Sequence, residues 1–273
     1  MKKLHPATVL KYIVLIFLGI IDFYPFFWVL CGAFKTKTTI FSEPFALPKT
    51  LNFGNFVEAW QKCGLSTNFF NSVLYASCSV VLIVLFSSMA AFVLTHVIES
   101  KTIYAYFTLG IMVPLHAILI PSFIIMRSLT LYNTRYGFII LMIAANLSFS
   151  IFVMTSFMKT LPKELDEAAL IDGCGYGRLF VSIVFPLAKP GIATVGTLAL
   201  LNCWNEYLFA YIMLMKEDNK TITQGIFAMV GKYSTDYAGM CAGLVIAILP
   251  MMTFFLLFQE QVIDGMTVGA VKG

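Results

Sequence analysis

A charged segment in the second half of the chain carries the residue types whose spacing is most informative. Its marked positions, in chain order, are Glu167, Ala168, Ala169, Asp172, Gly173, Arg178, Ile183 and Pro186. Acidic residues in a first helical turn interact favourably with the helix dipole, and a glycine followed later by proline ends helical pieces. The pattern therefore predicts a helix–turn–helix that binds a partner protein in the aqueous phase. It does not predict a catalytic role.

A second set of polar side chains lies within apolar segments. Asn202, Asn205 and Glu206 are spaced i, i+3 and i+4, so a continuous helix would present them on one face. Asp22 interrupts the first apolar segment in the same way. Polar groups inside a membrane face a bundle interior or water and often mark a substrate path. The alternative is hydrogen bonding between helices without any contact to substrate.

The sequence gives little support for a catalytic, metal or nucleotide site. The 3 histidines are scattered, and the 6 cysteines contain no Cys-x-x-Cys pair, so no catalytic residue and no metal ligand are predicted. The Gly-Lys pair between Gly225 and Tyr233 fails as a nucleotide-binding loop, because Tyr233 stands where a Ser or Thr must hold magnesium. We therefore expect no cofactor bound by this chain.

The composition sets the class of protein. Hydrophobic residues make up 59% of the chain and charged residues 12%, whereas a soluble domain carries about a quarter charged residues. This excess of apolar surface predicts an integral membrane protein embedded in lipid. The formal net charge of +4 is small and dispersed, so nucleic acid is not an expected partner.

Six apolar segments reach the roughly 20 residues that a membrane-spanning helix needs. Each must be helical in lipid, because every backbone group needs a partner within its segment. We predict an all-α, polytopic membrane protein, with a single transmembrane domain over residues 1–273. The predicted spans are about 12–34, 70–97, 103–126, 137–158, 190–215 and 238–258, with the charged loop at about 159–189. Pro114 and Pro121 are predicted to kink the third span.

The orientation cannot be read from charge alone. With six spans both termini share one side, and Lys and Arg divide nine against nine between the two sides. The first span usually dominates, and its start carries Lys2, Lys3 and Lys11. We therefore expect cytoplasmic termini.

The charged segment resembles a family signature: Glu-Ala-Ala, three residues, Gly, nine residues, then Ile-x-Leu-Pro. This is the cytoplasmic coupling loop of ABC importer permeases, and Phe185 in place of Leu is the one departure. The segments 204–210, 53–60 and 259–273 are similar to the smaller permease of maltose-type carbohydrate importers. The resemblance covers nearly the whole chain.

The resemblance implies a set of partners. Permeases of this family pair with a second, different permease and with two ATPase subunits. The resemblance implies that the ATPase subunits, and not this chain, bind ATP and Mg²⁺. An extracytoplasmic solute-binding protein delivers the sugar, here expected to be an oligosaccharide. The family implies a bacterial or archaeal cell membrane, a docking role for the coupling loop, and a secondary ATPase contact by the tail.

Two other interpretations stay open on the sequence. An ABC importer of a non-sugar solute would keep the loop and change the substrate path. An ion-coupled secondary transporter would need no ATPase, and Asp22 or Glu206 would then carry the coupling charge. The docking loop argues against the second alternative.

Overall fold

The computed structural model describes residues 6–62, 64–231 and 235–270, and it is helical with no strand over these ranges. The predicted all-α fold is confirmed. The helices in chain order are α1 (Pro6–Ala33), α2 (Thr39–Ser42), α3 (Gly54–Val57), α4 (Leu65–Phe92), α5 (Lys101–Leu109), α6 (Leu119–Ser128), α7 (Arg135–Met158), α8 (Glu164–Ile171), α9 (Tyr176–Leu179), α10 (Phe185–Leu187), α11 (Lys189–Asn205), α12 (Leu208–Met213), α13 (Ile222–Phe227) and α14 (Tyr237–Ala270). Lys2, Lys3, Tyr233 and residues 271–273, used in the interpretations above, lie outside the described residues.

Four of the described helices are long and apolar enough to cross a membrane. They are Thr8–Ala33, Leu65–Val97, Arg135–Met158 and Tyr237–Glu260, where the second includes the π-helical turn Val93–Val97 after α4. Two bent pairs bring the number to six if each pair crosses as one span. The chain is therefore an all-α, polytopic membrane protein, and the individual predicted span limits stay predictions.

The third predicted span is broken in its middle. Helical pieces Lys101–Met112 and Leu115–Ser128 meet at 86°. The break falls at Pro114, and Val113 before it is extended (φ −81°, ψ 116°), as the ring of a following proline favours. Pro121 does not kink the chain, because it lies in the first turn of α6, where a missing N–H leaves no bond unmade.

The fifth predicted span is likewise not one helix. α11 ends at Asn205, Glu206 turns extended with ψ 120°, and α12 starts again at Leu208. The segment Tyr176–Leu187 meets α11 at 77°. A span through this region therefore consists of shorter helical pieces than the continuous run of 190–215 that the apolar pattern predicts.

One compact unit comprises residues 6–66 and 225–250 of the described chain. Its α1 carries an apolar window of which 0% is buried, so those side chains face lipid or another chain. Beyond α1, the buried Lys35 donates to the carbonyl oxygens of Glu43 and Pro44 at 2.7 and 3.0 Å. Lys37 pairs with Asp236 at 3.0 Å. These contacts order the loop after α1.

A second unit comprises residues 67–224 and 251–270. α7 and α11 pack closely in it, since a Cβ added at Gly191 would lie 2.7 Å from Cγ of Phe157. Tyr75 and Phe138 form an edge-to-face pair at 5.1 Å in the buried core. This unit holds the charged loop and three of the four polar residues predicted within spans.

Candidate functional site

The charged loop folds as its sequence predicts at the start of α8. Glu164, Asp166 and Glu167 occupy the first turn, where their charges stabilise the positive end of the helix dipole. No side chain caps the N-terminus, so this electrostatic interaction is the visible local reason for the helix to begin here.

Gly173 ends α8. Its φ of +78° lies in the left-handed region that glycine adopts without steric cost. Its N–H donates to the carbonyl oxygen of Leu170, and the N–H of Cys174 donates to that of Ala169, which together form a Schellman motif. A Cβ built at Gly173 would meet nothing within 4 Å. The backbone angle, not lack of space, therefore requires glycine within this chain.

α8 has one face turned to the protein and one turned away. The buried face carries Asp166 and Ala169, which are 9% and 7% exposed. The outer face carries Glu167, Ala168, Leu170, Ile171 and Asp172, with Ile171 85% exposed. Of the three residues of the signature's start, Glu167 and Ala168 are thus available to a partner, whereas Ala169 packs inward because it lies three residues after Asp166.

His96 and Asp166 hold α8 against the end of the second membrane helix. The imidazole Nδ1 of His96 and Oδ2 of Asp166 form a hydrogen bond, with side chains 2% and 13% exposed. The His96 ring stacks on Phe92 at 5.3 Å. The two partners stand 70 residues apart, so no sequence pattern could have paired them.

An exposed pair lies next to this buried one. The ammonium of Lys163 donates to Glu99, and their side chains are 63% and 64% exposed. The hydrogen bond lowers the pKa of Glu99 and raises that of Lys163. The pair is intact at neutral pH. It is lost as the pH falls through the lowered pKa of Glu99 or rises through the raised pKa of Lys163.

The second half of the loop is anchored by aromatic packing. A π-helical turn, Phe180–Val184, joins α9 to α10. The ring of Phe180 packs against Phe92 at 5.2 Å and Phe185 at 5.5 Å. Arg178 is exposed and Ile183 is half-buried. Phe92 thus contacts both His96 and Phe180, and it links the two halves of the loop to α4.

Pro186 does not end the helical run, contrary to the sequence interpretation. It is the second residue of α10, where the missing N–H needs no partner. The run ends instead at Ala188, and Pro190 then stands in the first turn of α11. The π-helical turn before Pro186 makes this possible, because it starts a new hydrogen-bond register.

Asn202 and Asn205 lie on an exposed part of α11. The amide of Asn202 donates to Oδ1 of Asn146 on α7 at 3.0 Å, and the amide of Asn146 donates to the carbonyl of Met142. Asn146 carries a sequence signal of the same kind, a lone amide in an apolar span, and it joins the polar residues whose spacing is noted above. The pair shows that helix-to-helix hydrogen bonding accounts for part of this polar cluster.

Glu206 does not share a helical face with the two asparagines, because α11 ends before it. Its carboxylate turns forward instead and accepts from the N–H of Phe209 at 2.8 Å, which caps the start of α12. Its carbonyl accepts from the hydroxyl of Thr223 at 3.2 Å. Glu206 therefore has a structural role that spacing alone did not predict.

We expect Glu206→Ala to lower the stability of the purified protein by about 1 kcal/mol, because it removes this cap. Glu206→Gln should stay close to wild type, since its amide oxygen can accept the same bond. Thermal unfolding in detergent measures both, with Asn205→Ala as the control for a neighbouring polar loss. Equal destabilisation by Ala and Gln would show that the negative charge, not the cap, is what matters.

Asp22 lies on the exposed surface of α1, in a stretch of exposed apolar side chains. An ionised carboxylate facing hydrocarbon is expensive, and such residues normally face water or another polypeptide. We therefore expect Asp22 to face water or another polypeptide rather than lipid.

The described residues contain no group of three or more His, Cys, Asp or Glu side chains placed to hold a metal ion. The loop resembling a nucleotide site is helical from Ile222 to Phe227, and part of it lies outside the described residues. The organised features of the described residues are thus the exposed helix α8 at the end of a membrane-length helix and a cluster of polar side chains around α11.

These features are those of a polytopic membrane protein with an exposed charged loop, and comparison with known proteins makes the class specific. Residues 83–268 match the family described as "Binding-protein-dependent transport system inner membrane component". The chain belongs to this family. The prediction of a binding-protein-dependent permease is confirmed, and the chain's role is transport.

The chain is similar over nearly its full length to several permeases. It is 36% identical to a "Putative ABC transporter permease protein ORF2" of Caldicellulosiruptor sp., covering 91% of each chain. It is 32% identical to a "Probable starch degradation products transport system permease protein AmyC" of Thermoanaerobacterium thermosulfurigenes, covering 100% of each chain. It is 31% identical to the "Diacetylchitobiose uptake system permease protein NgcG" of Streptomyces coelicolor, covering 96% of this chain and 88% of that one.

A solved structure shares the fold. A chain of a bacterial ABC transporter involved in the import of the acidic polysaccharide alginate superposes with a TM-score of 0.82 at 20% identity. The match covers 92% of this chain and 95% of that chain. The described chain therefore shares the fold of that transporter chain.

Proposed function

We propose that this chain is the permease subunit of an ATP-driven, binding-protein-dependent importer of sugars, with oligosaccharides as the substrate class. Family membership and full-length similarity to permeases of starch degradation products and of diacetylchitobiose support this proposal. The observation that carries the mechanism is α8, a helix with an exposed outer face that is held to the end of a membrane helix by the His96–Asp166 contact.

In this function the outer face of α8 docks on an ATPase subunit. Glu167, Ala168, Asp172 and Gly173 contact the partner, and Ala169 supports them from the inner face. Arg178, Ile183 and Pro186 belong to the second half of the loop, with Arg178 and Pro186 exposed to the partner. When two ATPase subunits bind ATP and Mg²⁺ and close, movement of α8 reaches α4 through Asp166 and His96. A ligand shifts such an equilibrium only if its affinity differs between the two states.

The substrate path is proposed to run along the exposed polar part of α11. Asn202 and Asn205 offer amides to sugar hydroxyls, and Asn146 orients Asn202. Glu206 supports the path by capping α12. Asp22 is proposed to face a second, different permease, whose surface would complete the path and relieve the carboxylate from lipid.

The remaining partners follow from the same proposal. An extracytoplasmic solute-binding protein delivers the sugar on the side opposite α8. The termini and the coupling loop lie in the cytoplasm of a bacterial or archaeal cell, and the chain crosses the cell membrane six times. The tail, 259–273, is proposed as a secondary contact to the ATPase.

A pull-down of the tagged chain from membranes in mild detergent tests this proposal. We expect a second permease and an ATPase subunit to accompany it, and ATP-dependent uptake of an oligosaccharide by vesicles that contain the complex. The vesicle assay is repeated with a protonophore, which should leave uptake intact. A chain recovered alone, with uptake that collapses under the protonophore, would overturn the proposal in favour of ion-coupled transport.

A further inference from the structure

A cavity of about 410 Å³ opens beside the inner face of the docking loop. It is bounded by the π-helical turn that ends the second membrane helix, by the start of α5, and by the segment from the end of α7 to Lys163. This volume lies within the range of small-ligand sites, about 300–1,000 Å³. The walls come from three chain segments that meet at one end of the membrane helices.

The walls of this cavity carry an excess of positive charge. Lys101, Lys159 and Lys163 line it, against the single carboxylate of Glu99, which pairs with Lys163. The ammonium of Lys159 lies 4.5 Å from the centre of the Tyr104 ring. Two lysines thus remain in excess of the acidic group. Clustered lysines at the end of a membrane helix attract anionic headgroups.

Two buried polar groups of the lining have no partner. Oγ1 of Thr155 and Nε2 of His96 make no hydrogen bond in the part of the chain that the structure describes. Thr155 is 1% exposed, and the His96 side chain is 2% exposed. Buried polar atoms in proteins are nearly always hydrogen-bonded. An occupant with acceptor oxygens would give the threonine hydroxyl a partner.

We propose that this cavity binds the phosphate group of an anionic phospholipid. The phosphate would lie between Lys101 and Lys159, with Thr155 donating to it from the wall. Leu94, Met158 and Leu161 supply the apolar part of the lining, which suits the glycerol and upper acyl region of a lipid. A lipid source is favoured over soluble phosphate because two of the three walls are the ends of membrane-length helices, and lysines at such ends attract anionic headgroups.

Native mass spectrometry of the purified full chain, with the subunits that remain bound to it, tests the proposal. The complex is exchanged into phosphatidylglycerol or phosphatidylcholine and then delipidated in steps. We expect phosphatidylglycerol to be retained preferentially. Lys101→Gln/Lys159→Gln should weaken that retention by about tenfold or more, since each lysine near an anionic surface contributes roughly fivefold. Lys11→Gln/Lys216→Gln removes the same charge elsewhere and should leave retention unchanged.

Thr155→Val gives a second readout that does not depend on charge. If the cavity stays empty, replacing an unpaired buried hydroxyl by a methyl raises the melting temperature equally in both lipids. If the phosphate binds there, the variant loses the stabilisation that phosphatidylglycerol gives to wild type. Equal retention of the two lipids by wild type, or unchanged retention in the double variant, would overturn the proposal. Stabilisation by inorganic phosphate in lipid-free detergent, without an effect of phosphatidylglycerol, would overturn the lipid source and assign a soluble phosphate.

Discussion

Gly173→Asp is expected to reduce uptake at least about tenfold, a loss that corresponds to about 1.4 kcal/mol of coupling free energy, while the protein still inserts into the membrane. The new side chain meets open space in this chain, but it forces a residue with a Cβ into φ +78° and adds a carboxylate next to the docking face. Both effects act on the partner contact more than on the fold. Vesicle uptake, normalised to the amount of protein in the membrane, is the measurement.

Two matched variants separate the causes of this loss. Gly173→Ala keeps the backbone strain and omits the carboxylate, so its uptake should lie between those of wild type and Gly173→Asp. Gly175→Asp adds the same carboxylate two residues away at φ −76°, also in open space, where Asp suits the residue that precedes α9. It should keep most of the uptake. Normal uptake by Gly173→Asp would refute the role of this loop in coupling.

His96→Ala is expected to have the next largest effect. It leaves the carboxylate of Asp166 buried without its partner, at a cost of about 1–3 kcal/mol to the attachment of α8. The docking helix would then move without moving α4, so we expect ATP hydrolysis by the complex to continue while uptake falls. The measurement is the ratio of sugar imported to ATP hydrolysed in vesicles.

The control for His96→Ala must keep the packing on Phe92. His96→Phe retains an aromatic ring for that stack and removes only the hydrogen bond, so it should be as defective as Ala if the Asp166 contact is what matters. Lys49→Gln breaks an ion pair whose lysine is 78% exposed and should change little. A normal transport ratio in both His96 variants would show that force does not pass through this contact.

Some of the structure could be predicted because it depends on neighbours in sequence. The acidic start of α8 and the glycine that ends it are local features, since a helix dipole and a left-handed φ act within a few residues. The membrane class follows from composition, because a chain with so much apolar surface is stable only where lipid covers that surface. The proline break at Pro114 is local for the same reason.

Other features required the folded chain. A continuous apolar run cannot show that α11 stops at Asn205 and that Glu206 leaves the helix, because hydropathy is the same in both conformations. The helix ends there because the carboxylate of Glu206 accepts a hydrogen bond from the N–H of Phe209, and its carbonyl accepts one from the hydroxyl of Thr223. For the same reason Pro186 could not be recognised as interior to a helical run, since the π-helical turn before it leaves no sequence mark.

The sequence by itself determined that this protein is embedded in a membrane, that it is helical, and that one charged loop begins with an acidic helix that a glycine ends. These follow from composition and from short-range backbone chemistry. Only the tertiary structure decided which side of α8 is free, which histidine holds it, and where lysines gather around a cavity. Those properties depend on contacts between residues as far as 70 positions apart. Sequence patterns act over a few residues and cannot show which distant residues meet.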